Sequence, residues 1–366
     1  MFNRKDQITT PQAIAVIVSY TLSLGILQLP RNLAEATGNA DGWISILISE
    51  LIHILFAIII VKLCQRFPQK SIYQFSQEII GKWLGKLLSI CFSLYFLSWC
   101  AYEVRGMTEL TKLYLLPTTP SAAIAIPFIC LGVYLIVGGI NPIVRLFEIL
   151  LPPTIFIFVL VFLLSFKTFE MNNLRPVMGS GLIPVMEGMK VTLFPLTGME
   201  SMLVLFSFLK EPQKAVKVSI IGIVIPLFFY VTTFLLTIGS LGVEGTVIKT
   251  WPVIEVFRQF EYTGILFERF ETFMLAIWIL KIFTSFIVSY FFAVIGFSQL
   301  ANIEMVSIIY FTAPIIYLIT MSPKNINDLF HFGNLFGYIG ACFIILVPTA
   351  LFLITICKKK CSINHK

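Results

Sequence analysis

Charged residues are scarce in this chain: aspartate, glutamate, lysine and arginine together make up 12% of its 366 residues. Soluble domains carry roughly 25% charged residues, so the low value argues against an ordinary soluble globular domain. Hydrophobic residues make up 58% of the chain. Apolar stretches of about 20 residues recur along its whole length, and each is long enough to cross a bilayer as a helix. The sequence therefore predicts an all-α integral membrane protein.

The patterns of catalytic and cofactor sites are also missing. The 7 cysteines form no CxxC pair and lie mostly within apolar stretches, which favours small buried side chains over a disulfide framework. The sequence contains no nucleophile elbow, P-loop or metal-ligand spacing. Residues 1–10 are polar and lead directly into a full span, so no cleavable signal peptide is expected. We therefore expect no enzyme, cofactor or metal.

Ten apolar spans are predicted, with ends accurate to about 2–4 residues. They cover residues 11–36, 43–64, 84–111, 121–138, 143–166, 183–208, 215–240, 266–293, 303–321 and 333–357. An even number of spans leaves both termini on one side, where 15 lysines and arginines fall, against 8 on the other. By the positive-inside rule the termini, including a basic tail at 358–366, are predicted to be cytoplasmic. This distribution explains the net charge of +7 without a nucleic-acid partner.

The first span is interrupted within residues 23–31. Gly25 weakens the helix, and Pro30 removes a backbone donor five residues later. In lipid, freed backbone groups are tolerated only where they are buried in protein or face a watery cavity. The sequence therefore predicts a functional break in the middle of the membrane.

A second break is predicted at residues 194–201, near the start of the second half of the chain. Interrupted spans in corresponding positions of two halves are typical of a transporter-type binding site. The pattern predicts a five-plus-five inverted repeat, with a first repeat at 1–166 and a second at 183–357 in a single transmembrane domain. No high-similarity sequence repeat accompanies it.

Two connections are too long for simple turns. Residues 71–80 have an amphipathic pattern suited to the membrane interface. Residues 251–257 are predicted to form a short helix over the outer mouth, and an interfacial loop anchored by Trp251 is the alternative.

Three motifs stand out: Leu29-Pro30-Arg31 in the first span, Asp41-Gly42-Trp43 at the start of the second, and Gly198-Met199-Glu200 in the sixth. Together they resemble the spore germination permease family, the B subunits of GerA-type germinant receptors. The resemblance covers essentially the whole chain, although Ser23 stands where the family commonly has a first glycine. It implies membership of the amino acid–polyamine–cation superfamily and a LeuT-like fold with broken first and sixth helices.

The resemblance also implies a function and partners. The chain would be a nutrient-sensing subunit in the lipid of the spore inner membrane, binding a small germinant such as an amino acid. An A-type membrane subunit and a C-type lipoprotein would receive the signal. A proton-coupled amino-acid permease and a ligand-gated ion or water conduit remain alternatives.

An amino-acid ligand would use both breaks. The N-terminus of a half-helix carries partial positive charge, so the ligand carboxylate is expected near Gly25, Ile26 and Leu27. The ligand amine is expected near carbonyls of the sixth span. A kink that only aids packing is the alternative. The full predicted ligand-binding set is Ser23, Gly25, Ile26, Leu27, Tyr95, Glu103, Gly198, Met199, Glu200, Ser201 and Tyr290.

Two buried acids are candidates for specific roles, because ionisable residues inside a membrane are costly. Glu200 could hold a ligand amine, accept a proton, or bond to the freed amides of the first break. Glu103 lies eight residues after Tyr95, about two turns along the same helix. Arg105 could neutralise a carboxylate of a neighbouring span. Tyr95, Met199, Ser201 and Tyr290 would form walls suited to a small, partly apolar ligand.

The eighth span carries Lys281, Thr284 and Ser285 on one helical face. In sodium-coupled proteins of the LeuT-like fold, two hydroxyls of this span help to ligate sodium beside the first break. Thr284 and Ser285 resemble those hydroxyls, and the ammonium of Lys281 could replace the cation. We therefore expect a proton-linked or structural lysine rather than sodium coupling, with permanent pairing to a carboxylate as the alternative. Lys190 and Glu187, three residues apart, could form a local pair near the access route, and solvated side chains are the alternative.

Overall fold

The computed structural model describes residues 6–193, 195–259 and 270–363. Within these ranges the chain is helical apart from loops and an isolated bridge between Ile8 and Leu209. The α-helices are α1 Thr10–Thr21, α2 Gly25–Thr37, α3 Gly42–Cys64, α4 Ile72–Ile80, α5 Lys82–Tyr114, α6 Ser121–Val137, α7 Ile140–Ser165, α8 Ile183–Thr192, α9 Met202–Leu205, α10 Ala215–Ile248, α11 Pro252–Arg258, α12 Phe270–Ala301, α13 Met305–Thr320, α14 Ile326–Ala341 and α15 Val347–Ile363.

Six helical segments in the described ranges are long and apolar enough to cross a membrane, and the bent pair α1–α2 makes a seventh. Three further apolar helices are shorter, at 10–17 residues: Ser121–Val137, Met199–Phe208 and Met305–Thr320. Large apolar side chains such as Leu51, Phe156 and Phe311 are 65–68% exposed. Apolar side chains on the outer surface suit a protein whose solvent is lipid. The chain is an integral membrane protein.

The first span bends by 48° between α1 and α2. The unwound residues are Leu22–Leu24, and α2 begins at Gly25. Pro30 lies inside α2 rather than at the break, which corrects the sequence-based prediction. A proline removes one donor from a helix, and packing in a membrane protein can compensate for that loss without unwinding the helix.

The second interruption separates α8, which ends at Thr192, from a helical segment that begins at Met199. Phe194, part of the predicted break, lies outside the described residues. After the break the chain runs through short 3₁₀ and α turns to Phe208. Both predicted interruptions are therefore present.

Other predicted elements agree with the structure or extend beyond their predicted ends. The amphipathic stretch forms α4, and the outer connection forms α11 with Trp251 fully buried. The last span is longer than predicted, because α14 continues through a π-helical turn, Cys342–Leu346, into α15. The predicted start of the eighth span at 266–269 and the last three residues of the basic tail lie outside the described residues.

The helices surround the two interrupted spans. α10 packs along α1, α2 and α3, while α12 packs along α5 and also contacts α1. α8 lies against α2 and α3. This arrangement brings polar groups of α5, α10 and α12 to the two breaks.

Candidate ligand site at the two helix breaks

The first break is held by side chains of α5 and α12. The hydroxyl of Ser23 donates to Glu103 Oε2 at 2.7 Å, and the indole Nε1 of Trp278 donates to the Ser23 carbonyl at 3.2 Å. Glu103 is 1% exposed. A protein acid therefore already occupies the N-terminal side of α2, where a ligand carboxylate was expected.

The second break is held by Glu200, which is fully buried. Its Oε2 accepts the backbone N–H of Gly198 at 2.8 Å. Its Oε1 accepts the hydroxyls of Tyr20 at 3.0 Å and Tyr95 at 3.1 Å. The side chain therefore joins α1, α5 and the unwound segment. The predicted bond from Glu200 to first-break amides is replaced by a bond to its own break, because Glu103 of α5 serves the first.

The two breaks lie against each other. A Cβ added at Gly25 would lie 3.0 Å from the Cα of Pro195, and one added at Gly198 would lie 2.3 Å from Thr21 Oγ1. The Tyr230 hydroxyl of α10 lies 2.7 Å from the Pro195 carbonyl oxygen and 3.0 Å from that of Thr21. Tyr230 can share its proton between one carbonyl from each break. Glycine at positions 25 and 198 is what permits this close approach.

The helical face of α12 that carries Lys281, Thr284 and Ser285 contacts the first break. Ser285 donates to Glu103 Oε1 at 3.0 Å, and Thr284 donates to the Ser19 carbonyl at 3.2 Å. The ammonium of Lys281, fully buried, donates to Ser19 Oγ at 3.2 Å. No acid of the described ranges lies within 4.0 Å of this ammonium, so within them the alternative of a permanent ion pair is wrong.

The remaining predicted residues divide into those at the breaks and those elsewhere. Ile26, Leu27 and Met199 are buried beside the breaks, and Ser201 donates to the Gly198 carbonyl at 2.5 Å. Tyr290 lies elsewhere: its hydroxyl donates to the Ile309 carbonyl of α13 at 2.6 Å, so it is not part of this group.

Two predicted ion pairs have different outcomes. Arg105 bonds to Glu109 of its own helix at 2.8 Å rather than to an acid of a neighbouring span, because an i,i+4 partner is within reach. Lys190 and Glu187 form the predicted local pair at 2.7 Å.

Several residues of this region were missed by the sequence reasoning. Tyr20, Tyr230 and Trp278 are aromatic residues in apolar spans, and nothing in their spacing marks their hydrogen bonds. Glu50 of α3 was detectable, because it lies within an apolar span three residues before His53. The two are buried, with Oε2 and Nδ1 3.5 Å apart.

Comparisons with known proteins identify the family and the fold of the chain. The family model for spore germination proteins matches residues 7–329. The chain belongs to this family. The predicted resemblance to spore germination permeases is therefore confirmed, and the family is not one of enzymes.

Relatives within the family match over nearly their full length. Spore germination protein YndE of Bacillus subtilis (strain 168) is 42% identical over 360 residues, covering 98% of this chain and 99% of that protein. Spore germination protein A2 of the same organism is 33% identical over 354 residues, covering 97% of each chain.

Solved transporters share the fold of this family member. MhsT in complex with L-phenylalanine has a TM-score of 0.66 at 12% identity, covering 91% of this chain and 87% of that one. Mhp1, a nucleobase-cation-symport-1 family transporter in a closed conformation with bromovinylhydantoin bound, has a TM-score of 0.70 at 12% identity. That match covers 94% of this chain and 77% of Mhp1. The spore germination protein therefore has a LeuT-type fold.

Proposed function

We propose that this chain is the nutrient-sensing membrane subunit of a spore germination receptor. A small nutrient, with an amino acid as the leading candidate, binds between the two broken helices. The observation that carries the proposal is the contact of the two breaks at Gly25 and Pro195 in a member of the spore germination protein family. Interrupted membrane helices that meet are a typical binding-site architecture.

Binding would act by shifting a conformational equilibrium. Tyr230 bonds to one carbonyl from each break, and Glu200 bonds to the second break and to α1 and α5. A nutrient that separates or reorients the breaks would alter both sets of bonds. A ligand shifts such an equilibrium only by its differential affinity for the two conformations. We propose that the change passes to an A-type membrane subunit and a C-type lipoprotein.

The finer architecture is part of the same proposal. We propose ten spans in a five-plus-five inverted repeat, with the first repeat at 1–166 and the second at 183–357. Four spans are needed beyond the six long helices. The two interrupted segments supply two of them, the second of which includes Met199–Phe208, and the short helices Ser121–Val137 and Met305–Thr320 supply the other two. The protein lies in the spore inner membrane with both termini cytoplasmic, as the distribution of basic residues favours.

The proposal is tested with spores that lack this chain. Germination is followed as the fall in optical density of spore suspensions exposed to single amino acids, sugars or nucleosides. We expect the response to one or a few amino acids to disappear, and reintroducing the chain should restore it. Unchanged responses to the whole panel would contradict a sensing role.

A proton-coupled amino-acid permease is the second candidate, favoured by the transporter fold and by the buried ammonium of Lys281. A buried lysine can take up and release a proton during a cycle. Uptake of a radiolabelled amino acid into vesicles that contain the chain alone would support this candidate. Nutrient response without uptake would support the receptor.

Lys281→Met is expected to change the pH dependence of the nutrient response. The substitution keeps an apolar stem of similar length and removes the charge that lies beside Ser19. The response of variant and unaltered spores should be measured over a pH series. Lys190→Met is a matched control, because that lysine is 61% exposed and pairs locally with Glu187. A pH profile unchanged by Lys281→Met would make this lysine structural.

A further inference from the structure

Three buried hydrogen-bond donors beside the first two turns of α2 have no acceptor among the described residues. They are the amide Nε2 of Gln28, the guanidinium Nε of Arg31 and the indole Nε1 of Trp251. Gln28 and Trp251 are 2% and 0% exposed. Buried polar groups normally have partners, so a group of orphaned donors requires an explanation.

The three donors belong to one neighbourhood. Gln28 and Arg31 are three residues apart on α2 and so lie on the same helical face. The Phe330 ring of α14 has the Arg31 guanidinium carbon 5.7 Å from its centroid and the Trp251 ring 5.6 Å away. α11, which begins directly after Trp251, packs against α2. The side-chain oxygen of Gln28 accepts the Tyr102 hydroxyl at 3.0 Å, which leaves its amide nitrogen as the orphan.

No nearby acid of the described ranges pairs with Arg31: Glu35, four residues later on α2, is exposed and forms no ion pair with it, and the buried acids bond to other groups. Glu103 and Glu200 bond to the two breaks. Glu109 pairs with Arg105, and Glu255 of α11 accepts from Tyr114 and pairs with Arg258. Within the described ranges, no acid lies within 4.0 Å of the Arg31 guanidinium. The neighbourhood therefore offers donors and one full positive charge without a matching anion.

We propose that Gln28, Arg31 and Trp251 form a binding site for a small carboxylate beside the first two turns of α2, next to the first break but built from side chains rather than from its backbone groups. A carboxylate has two oxygens with about four acceptor positions, enough for all three donors. Arginine forms strong charge-assisted hydrogen bonds with this group. Chloride satisfies the charge but lacks the pair of oxygens that matches the planar guanidinium fork. The carboxylate belongs either to a free monocarboxylate or to an amino acid.

The site also gives this region a ligand-dependent closure. The three donor atoms are shielded from solvent in the present arrangement. A carboxylate therefore enters only when the surrounding helices move apart. Once bound, it supplies the missing acceptors and stabilises the closed arrangement, as a ligand with higher affinity for one conformation does.

The test uses the full chain purified in detergent, with its thermal unfolding followed in sodium acetate, sodium chloride at equal ionic strength, or acetamide. Acetamide has nearly the size of acetate without its charge. We expect a concentration-dependent rise in unfolding temperature with acetate alone. L-Alanine compared with L-alaninamide distinguishes an amino-acid carboxylate from a free monocarboxylate. Equal effects of acetate and chloride would overturn the proposal.

Substitutions at the three donors test whether the stabilisation by acetate arises at this site. Arg31→Met is expected to weaken acetate binding by roughly tenfold or more, the scale of one lost charge-assisted hydrogen bond. Arg258→Met is the matched control, because that arginine is 52% exposed and bonds to Glu255. If Arg31→Met does not fold, Gln28→Leu and Trp251→Phe each remove one orphaned donor and should also weaken binding. Undiminished acetate binding in these variants would assign the ion elsewhere.

This proposal stands or falls independently of the proposed function. Acetate binding to the purified chain does not depend on nutrient sensing, and none of its variants alters the breaks. A negative acetate result would leave the receptor proposal intact. Loss of germination after substitution at Gly25 would not affect the carboxylate site.

Discussion

Spores carrying Gly25→Leu are expected to lose the nutrient response while the chain remains in the membrane. The first atom of the new side chain would lie 3.0 Å from the Pro195 Cα and 3.2 Å from the Tyr230 hydroxyl. Backbone and a hydrogen-bonded hydroxyl cannot move aside cheaply, and overpacking of this kind typically costs about 1–3 kcal/mol. Three further carbons would then occupy the proposed ligand space. The optical density of spore suspensions exposed to nutrient measures the response.

A series of substitutions distinguishes an effect at the first break from a general effect of replacing a glycine. Gly25→Ala adds only the first atom and should give a partial defect. Gly245→Ala is the matched control, because the added Cβ would make an ordinary 3.5 Å contact with Leu241. Immunoblots of membrane fractions establish that each variant is present. A normal response from Gly25→Leu at normal abundance would remove this position from the site.

The local backbone chemistry of the breaks could be predicted from the sequence. Gly25 begins α2 and Pro195 lies in the second interruption, so both predicted breaks are real. The sequence could not predict that Pro30 lies inside a continuous helix. A proline shows only that one backbone hydrogen-bond donor is missing. Whether a helix unwinds there depends on neighbours that restore the lost interactions.

The partners of the buried acids required the structure. The sequence places Glu103 and Glu200 in membrane spans but gives no rule for which break each one serves. That choice depends on how α5 lies against α1 and α2, since Ser23 and Glu103 are 80 residues apart. Tyr230 illustrates the same limit, because its two acceptors lie 35 and 209 residues away. Spacing along one helix carries no information about such contacts.

The buried acids limit which groups at the breaks are left for a ligand. Freed amides at the first break were predicted to receive a ligand carboxylate, but the Glu103 carboxylate already accepts the Ser23 hydroxyl there, and Glu200 accepts the Gly198 N–H at the second break. A nutrient must therefore use the remaining backbone groups, displace an acid, or place its carboxylate against other donors. The orphaned donors of Gln28, Arg31 and Trp251 provide the last option.

Replacement of Glu200 by alanine should have the largest effect on stability. The change leaves three buried donors without their acceptor: the hydroxyls of Tyr20 and Tyr95 and the N–H of Gly198. An unsatisfied buried donor costs about 1–3 kcal/mol, so the combined loss is expected to be about 3 kcal/mol or more. Such a loss is a large part of a typical folding free energy of about 5–15 kcal/mol. Thermal unfolding in detergent and abundance in membranes measure the loss.

Glu200→Gln distinguishes the hydrogen bonds from the volume of the side chain. Glutamine retains one acceptor oxygen, which can serve the tyrosines only if its NH₂ group faces the N–H of Gly198. The variant should therefore lose about 1–3 kcal/mol, less than the alanine variant. Glu187→Ala is the control, because this acid is 51% exposed and pairs only with an exposed lysine. If Glu200→Ala unfolded at the same temperature as the unaltered chain, Glu200 would not hold the second break, and that break would have to be maintained by packing alone.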